Sequence, residues 1–170
     1  GNSPGIQTIR GSAIYRSGSV IEWELNTNSG NFTLDHTLGA IRGVHFDGIN
    51  VEGDLHFGQG SVFEIRFDDI EGDLDWKHPE WKEQNPSTRL FKVFELGSES
   101  DVYGLDDVDI RSANGWIDSK GQSFEAVHPG KTLDFEFLQI GNEIYLQMHI
   151  NEKVSARPAR PNEHQMGVMR

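Results

Sequence analysis

Large apolar residues alternate with charged or polar ones along much of the chain, the period of an extended strand with one buried face. Helical spacing of three and four is scarce. In "GSVIEWEL", starting at Gly18, Ile21, Trp23 and Leu25 share one face and Glu22 and Glu24 the other. "GSVFEIRF", starting at Gly60, repeats the phrase, with Phe63, Ile65 and Phe67 against Glu64 and Arg66. A third version, "GKTLDFEF" from Gly130, places Leu133, Phe135 and Phe137 at the same offsets. Each reads as a strand entered through a glycine turn.

The third strand runs into "LQIGNEIYLQMHI", where Gly141-Asn142 supplies the positive φ angles of a tight hairpin. Ile144, Leu146, Met148 and Ile150 are expected inward and Tyr145, Gln147 and His149 outward. "RLFKVFEL" is apolar on both faces, which suits a central strand, and Asp47-Gly48 and Gly53-Asp54 mark turns between shorter strands. About ten strands result, and the fold class expected is all-β, an antiparallel β-sandwich or jelly roll with Ile21, Trp23, Phe63, Ile65, Leu133 and Phe135 facing a shared core. A β-solenoid is the alternative. The uneven spacing of the three phrases, 42 and then 70 residues, speaks against it, because stacked coils keep a steadier period.

The domain is expected over residues 1–150, with a Pro- and Arg-bearing C-terminal tail over 151–170. Between strands, "DDIEGDLDWKHPEWKEQNPST" is a polar stretch too long for an ordinary connection, of the kind that carries function. Pro79 can open a helical turn within it.

Composition narrows the function classes. The chain of 170 residues holds 27 acidic and 15 basic side chains, a net charge of −12 that disfavours nucleic acid and anionic membrane surfaces as partners. The absence of cysteine removes disulfides, thiolate nucleophiles and sulfur-ligated zinc. No run approaches the ~20 apolar residues of a membrane-spanning helix.

Two constellations carry candidate chemistry. Asp69, Glu71, Asp73 and Asp75 alternate around Gly72 and could offer oxygen ligands to calcium, the one cofactor considered; Asp106, Asp107 and Asp109 form a second acidic group. The bland reading of both is a solvated acidic edge that deters aggregation. Trp76 and Trp81, in the long insertion beside His78, and Trp116, after Asn114-Gly115, could form a glycan-binding platform of exposed rings; the alternative is that they anchor loops against the sheet. The histidines show no metal-ligand spacing. No catalytic residue stands out: no nucleophile elbow, phosphate loop or dinucleotide fingerprint occurs.

The segments "SVIEWELN", "FDGINVEGDLHFGQGSVFEIRF", "LFKVFELGSESDVYGLDDVDI" and "LDFEFLQIGNEIYLQMHI" resemble the β-rich C-terminal module of secreted bacterial autotransporter-type proteins and of Planctomycetes-like surface proteins with a Pro-Glu-Pro sorting tail. The resemblance covers roughly residues 12–150 and carries no functional residue across. It implies an extracellular or cell-envelope location and a non-catalytic role in adhesion, glycan binding or structural spacing, with a glycan or surface protein as partner. A carbohydrate-active enzyme fragment, a hydrolase or lyase using acids of the insertion, is the alternative.

Overall fold

The computed structural model describes residues 4–31, 39–69, 71–82 and 88–153. Its strands are β1 (Ile6–Ile9), β2 (Ala13–Tyr15), β3 (Val20–Glu24), β4 (Gly48–Val51), β5 (Leu55–Phe57), β6 (Val62–Arg66), β7 (Thr88–Leu96), β8 (Val102–Tyr103), β9 (Asp109–Ser112), β10 (Lys131–Ile140) and β11 (Glu143–Glu152). Two one-turn helices, α1 (Pro79–Lys82) and α2 (Phe124–Val127), lie in the connections. The all-β expectation holds.

The antiparallel sandwich or jelly roll does not describe the pairing. Among the described residues β1, β4 and β7 pair in parallel, as do β2, β5 and β8, and β3, β6 and β9. Antiparallel pairing is confined to β7, β11 and β10. The chain therefore visits the same three sheets in the same order three times, each visit one coil stacked on the last. The opening phrases lie directly on each other, Val20 beside Val62 and Trp23 beside Ile65. The third phrase is not a coil strand at all: it is β10, half of the terminal hairpin. Its spacing thus said nothing about coil length. The true successor of β6 is β9, a strand with Asp109 and Arg111 on its exposed face and so with little apolar signature.

The corners explain how the coils stay in register. The Ser12 hydroxyl accepts from Asp54 N, 42 residues on, and the Asp54 carboxylate accepts from Asp101 N, 47 residues on. Each corner side chain thus satisfies a backbone donor of the next coil, a group left outside the strand ladders. Rings stack along the same direction: Tyr15 on Phe57 at 5.5 Å and His56 on Tyr103 at 4.6 Å, both nearly parallel. Where backbones meet, glycine is required. A Cβ on Gly104, which has φ 77°, would press into the carbonyl oxygen of Phe57.

The interior is aromatic. Trp23 is fully buried among Phe46, Phe63 and Phe91, with ring centroids 5.6 to 6.0 Å apart, and its indole N–H donates to Asp47 O at 2.8 Å. Of the residues expected to face the core, Ile21, Trp23, Phe63, Ile65 and Leu133 are buried, and Phe135 is partly so. The hairpin closes at Gly141-Asn142 as expected, and Ile144, Leu146, Met148 and Ile150 point inward. Tyr145 lies on the opposite face, as the alternation predicts, yet it is buried there, its hydroxyl donating to Glu143 two residues back; the register shift beside it comes from an extra residue, Val93, in β7. β11 runs to Glu152, two residues past the boundary expected for the domain; residues 154–170, the remainder of the expected tail, lie outside the described ones. No helix among the described residues is long and apolar enough to cross a membrane.

Gly104→Ala should lower stability by about 2–4 kcal/mol, since it combines a left-handed φ with a backbone clash that cannot relax by rotamer change. Gly60→Ala has the same φ of 77° but meets only Ser17 Oγ at 3.9 Å, so it should cost about 1 kcal/mol. Denaturant midpoints measure the difference; equal losses would show that coil contact does not require the glycine.

Candidate functional site

The long insertion leaves β6 at Phe67 and returns at β7, and its described residues are held by the buried Asp118 and Arg89 and the half-buried Asn28. Asp118 is 1% exposed and accepts four hydrogen bonds, from the backbone N–H of Trp76, Lys120 and Gln122 and from the Gln122 amide. Asn28 receives Asp75 N and Trp81 Nε1 on its carbonyl oxygen, each at 2.8 Å, and donates to Asp73 O. Arg89 lies 3.7 Å over the Trp81 ring and donates to the carbonyls of Asn28 and Glu80. Burial pushes this guanidinium down to about 10.

The exposed platform of rings is not what forms. Trp76 and Trp81 are both 0% exposed, packed edge to face at 4.7 Å, and Phe67 and Phe124 close around Trp76. Trp76 Nε1 donates to Trp116 O at 2.8 Å. Trp116 is partly buried against Phe135 and Phe67, and it is the one non-glycine residue with positive φ, 59°, among the described residues. The three tryptophans do meet, as loop anchors, because a stretch this poor in aliphatic residues has only Leu74 to bury beside its indoles. His78 serves the turn before α1, its Nδ1 accepting from Glu80 N at 3.2 Å.

The calcium expectation also finds no supporting geometry. Asp69 and Asp75 each cap a local turn, accepting from Glu71 N and Lys77 N, while Glu71 and Asp73 are exposed. No group of three or more His, Asp or Glu side chains among the described residues is placed to hold a metal ion.

Beside these tryptophans the insertion and the segment around α2 form an open, shallow cleft of about 710 Å³ lined by Lys77, Lys82, Ile117, Gly121, Gln122, Ser123, Ala126 and Val127. The sequence reading missed these residues. The signal available was the repeated Trp-Lys pair in "DWKHPEWK": a tryptophan that turns inward carries the following lysine outward at the surface. Ser123 caps α2, its hydroxyl accepting from Ala126 N at 3.2 Å and keeping its own proton free to donate outward.

A second cleft of about 340 Å³, at the corner between β1 and β3, is lined by Glu22, Glu24 and Asp47 among others. Asp47 is already committed, its two oxygens accepting from Gly5 N and Glu24 N at 2.9 Å. Burial, followed by the neighbouring carboxylates of Asp47, Asp69 and Glu22, holds Glu24 above the usual carboxylate range. Burial likewise raises Asp47, against the two backbone donors.

Asp118→Ala should cost about 2–3 kcal/mol, because it strands backbone donors in a buried site, with the loss read by chemical denaturation. For Glu24 the raised folded pKa means that the native state binds the proton more tightly than the unfolded chain. Its charge therefore lowers stability as pH rises through the window above the unfolded value of about 4.3. Glu24→Gln should be more stable than the parent at pH 7, with the gap shrinking as pH falls toward 4; a gap independent of pH would contradict this.

No protein-family model, curated protein or solved structure matches the chain.

Proposed function

We propose that this chain is a non-catalytic β-solenoid module of a secreted or cell-surface bacterial protein, used for adhesion or structural spacing, and that the cleft between α1 and α2 is its ligand-binding surface. The observation that carries this reading is the cleft itself. It combines ammonium groups, an amide, a hydroxyl and apolar surface from Ile117, Ala126 and Val127, over a floor fixed by Asp118 and Trp76. Such a mix suits recognition of a hydroxylated ligand with apolar faces, as sugars have. Among the described residues no carboxylate lines the cleft, whereas glycoside hydrolysis uses a flanking pair. The stacked coils favour a spacer role, because each coil rests only on its neighbours and length can be added without redesigning the core.

A glycan array with the full chain and with Ala126→Trp tests the reading. Ala126 is exposed at the rim, so an indole there should fill the cleft, abolish glycan capture and leave the melting midpoint nearly unchanged. Capture that survives the substitution would remove the cleft from consideration. Turnover of any polysaccharide by the purified chain would overturn the non-catalytic reading.

A further inference from the structure

The six lysines of the chain divide into two groups. Lys92, Lys131 and Lys153 pair with carboxylates of Glu95 and Glu143, Glu152, and Glu125. Lys77, Lys82 and Lys120 take part in none of the ion pairs found among the described residues. All three of these lie at one place. Lys77 and Lys82 line the α1–α2 cleft, and Lys120 is exposed beside its lining residue Gly121. In a chain with 27 acidic residues, random placement would put carboxylates there, and none of the described ones lines the cleft. Two neighbouring acids among the described residues have partners: Asp75 Oδ1 accepts from Lys77 N and the Gln122 amide, and Glu125 holds Lys153 at 2.7 Å. Glu80, on α1, is exposed and does not line it. Asp75 is also held below the usual carboxylate range, first by the Lys77 N–H, with the charges of Lys120 and Lys77 adding to it.

We infer that the cleft binds an anionic polysaccharide, one bearing carboxylate or sulfate groups, with Lys77 and Lys82 as its charge contacts. This rests on the cleft being the binding surface. Ammonium groups on flexible stems meet either kind of oxyanion, so they set the sign of the ligand without choosing between the two. The volume is that of a site for several linked rings rather than for one inorganic anion. Gln122 and Ser123 present an amide and a hydroxyl to sugar oxygens, while Ile117 and Val127 offer surface to C–H faces. Nucleic acid fits less well, because Trp76, Trp81 and Phe124 are buried and no aromatic ring among the described residues lines the cleft for base stacking.

Titration calorimetry on the full chain with oligogalacturonate, dextran sulfate, neutral dextran and single-stranded DNA tests the inference. Expected is binding of oligogalacturonate, dextran sulfate or both, with the two arms identifying the oxyanion, and none of neutral dextran. Raising salt from 50 to 200 mM should weaken it, and Lys77→Ala/Lys82→Ala should weaken it at least tenfold, with the double arginine variant restoring most of the loss. Both lysines are exposed, so these variants should fold as the parent does. Binding lost in Ala126→Trp but untouched by the double alanine variant would keep the cleft and overturn the anionic ligand. Binding untouched by either would overturn both readings, as would failure of both anionic glycans and of every glycan on the array. DNA bound as tightly as the glycans would overturn the sugar assignment.

Discussion

The parallel stacking of β6 on β3, residue over residue at a separation of 42, is the constraint on which the remaining structure depends. It brings two phrases of the same pattern together so that each inward side chain of one coil lies over its counterpart in the next. Trp23 then sits at the centre of the aromatic cluster, reached by Phe63 from the coil above and by Phe91 from β7. Parallel strands cannot be joined by tight turns, so the chain must travel round two further sheets before it pairs again. The corners of that path are where backbones come closest, and Gly104 and the Ser12–Asp54–Asp101 series follow from it. The hairpin of β10 and β11 ends the parallel series in its sheet: β11 takes the edge of β7 that a further coil would occupy.

The long insertion solves a different problem. A segment of about twenty residues with almost no regular structure loses roughly 1–2 kcal/mol of backbone entropy per residue when it is ordered, and it has few aliphatic side chains to offset that. Two buried indoles, each with its N–H satisfied, supply apolar area, while Asn28, Asp118 and Arg89 satisfy backbone groups that no ladder reaches. Asn28 and Asp118 belong to different coils, so the insertion is tied to the stack from both sides. What remains at the surface is a rigid rim carrying Lys77 and Lys82.

Much of the strand content could be read directly from alternation. Gly141-Asn142, the inward run of Ile144 to Ile150 and the two-sided burial of Phe91, Val93 and Phe94 all stand as the pattern predicted. Topology could not be read so well, for a definite reason. Alternation reports which face of a strand is buried and says nothing of the direction of its neighbour, and "GKTLDFEF" obeys the same rule in an antiparallel hairpin as its look-alikes do in parallel coils. β9 was invisible for the opposite reason: it lies at the edge of its sheet, with Ile110 only partly buried, so it needs little apolar surface. At the site, Trp76 contacts both Trp81 and Trp116, but sequence does not tell a ring that meets a ligand from one that meets a phenylalanine. That distinction depends on Asp118, 42 residues from Trp76, pulling the loop inward.

A strongly acidic chain and a cleft that favours anions are compatible once distance is considered. At physiological ionic strength the Debye length is about 8 Å, so the exposed acids of remote corners contribute little at the cleft. What a ligand meets is set by groups in and beside the site, and there the balance is reversed. Lys77, Lys82 and Lys120 make no ion pair among the described residues, and Asp75 Oδ1 accepts from Lys77 N and Gln122. The surrounding negative surface then acts by exclusion. It leaves a polyanion one place on the described surface where three ammonium groups gather without a described ion pair, and any binding must be short-ranged, dependent on contact with that rim and sensitive to salt. Steering from afar would need a positive field that this chain, at −12, does not have.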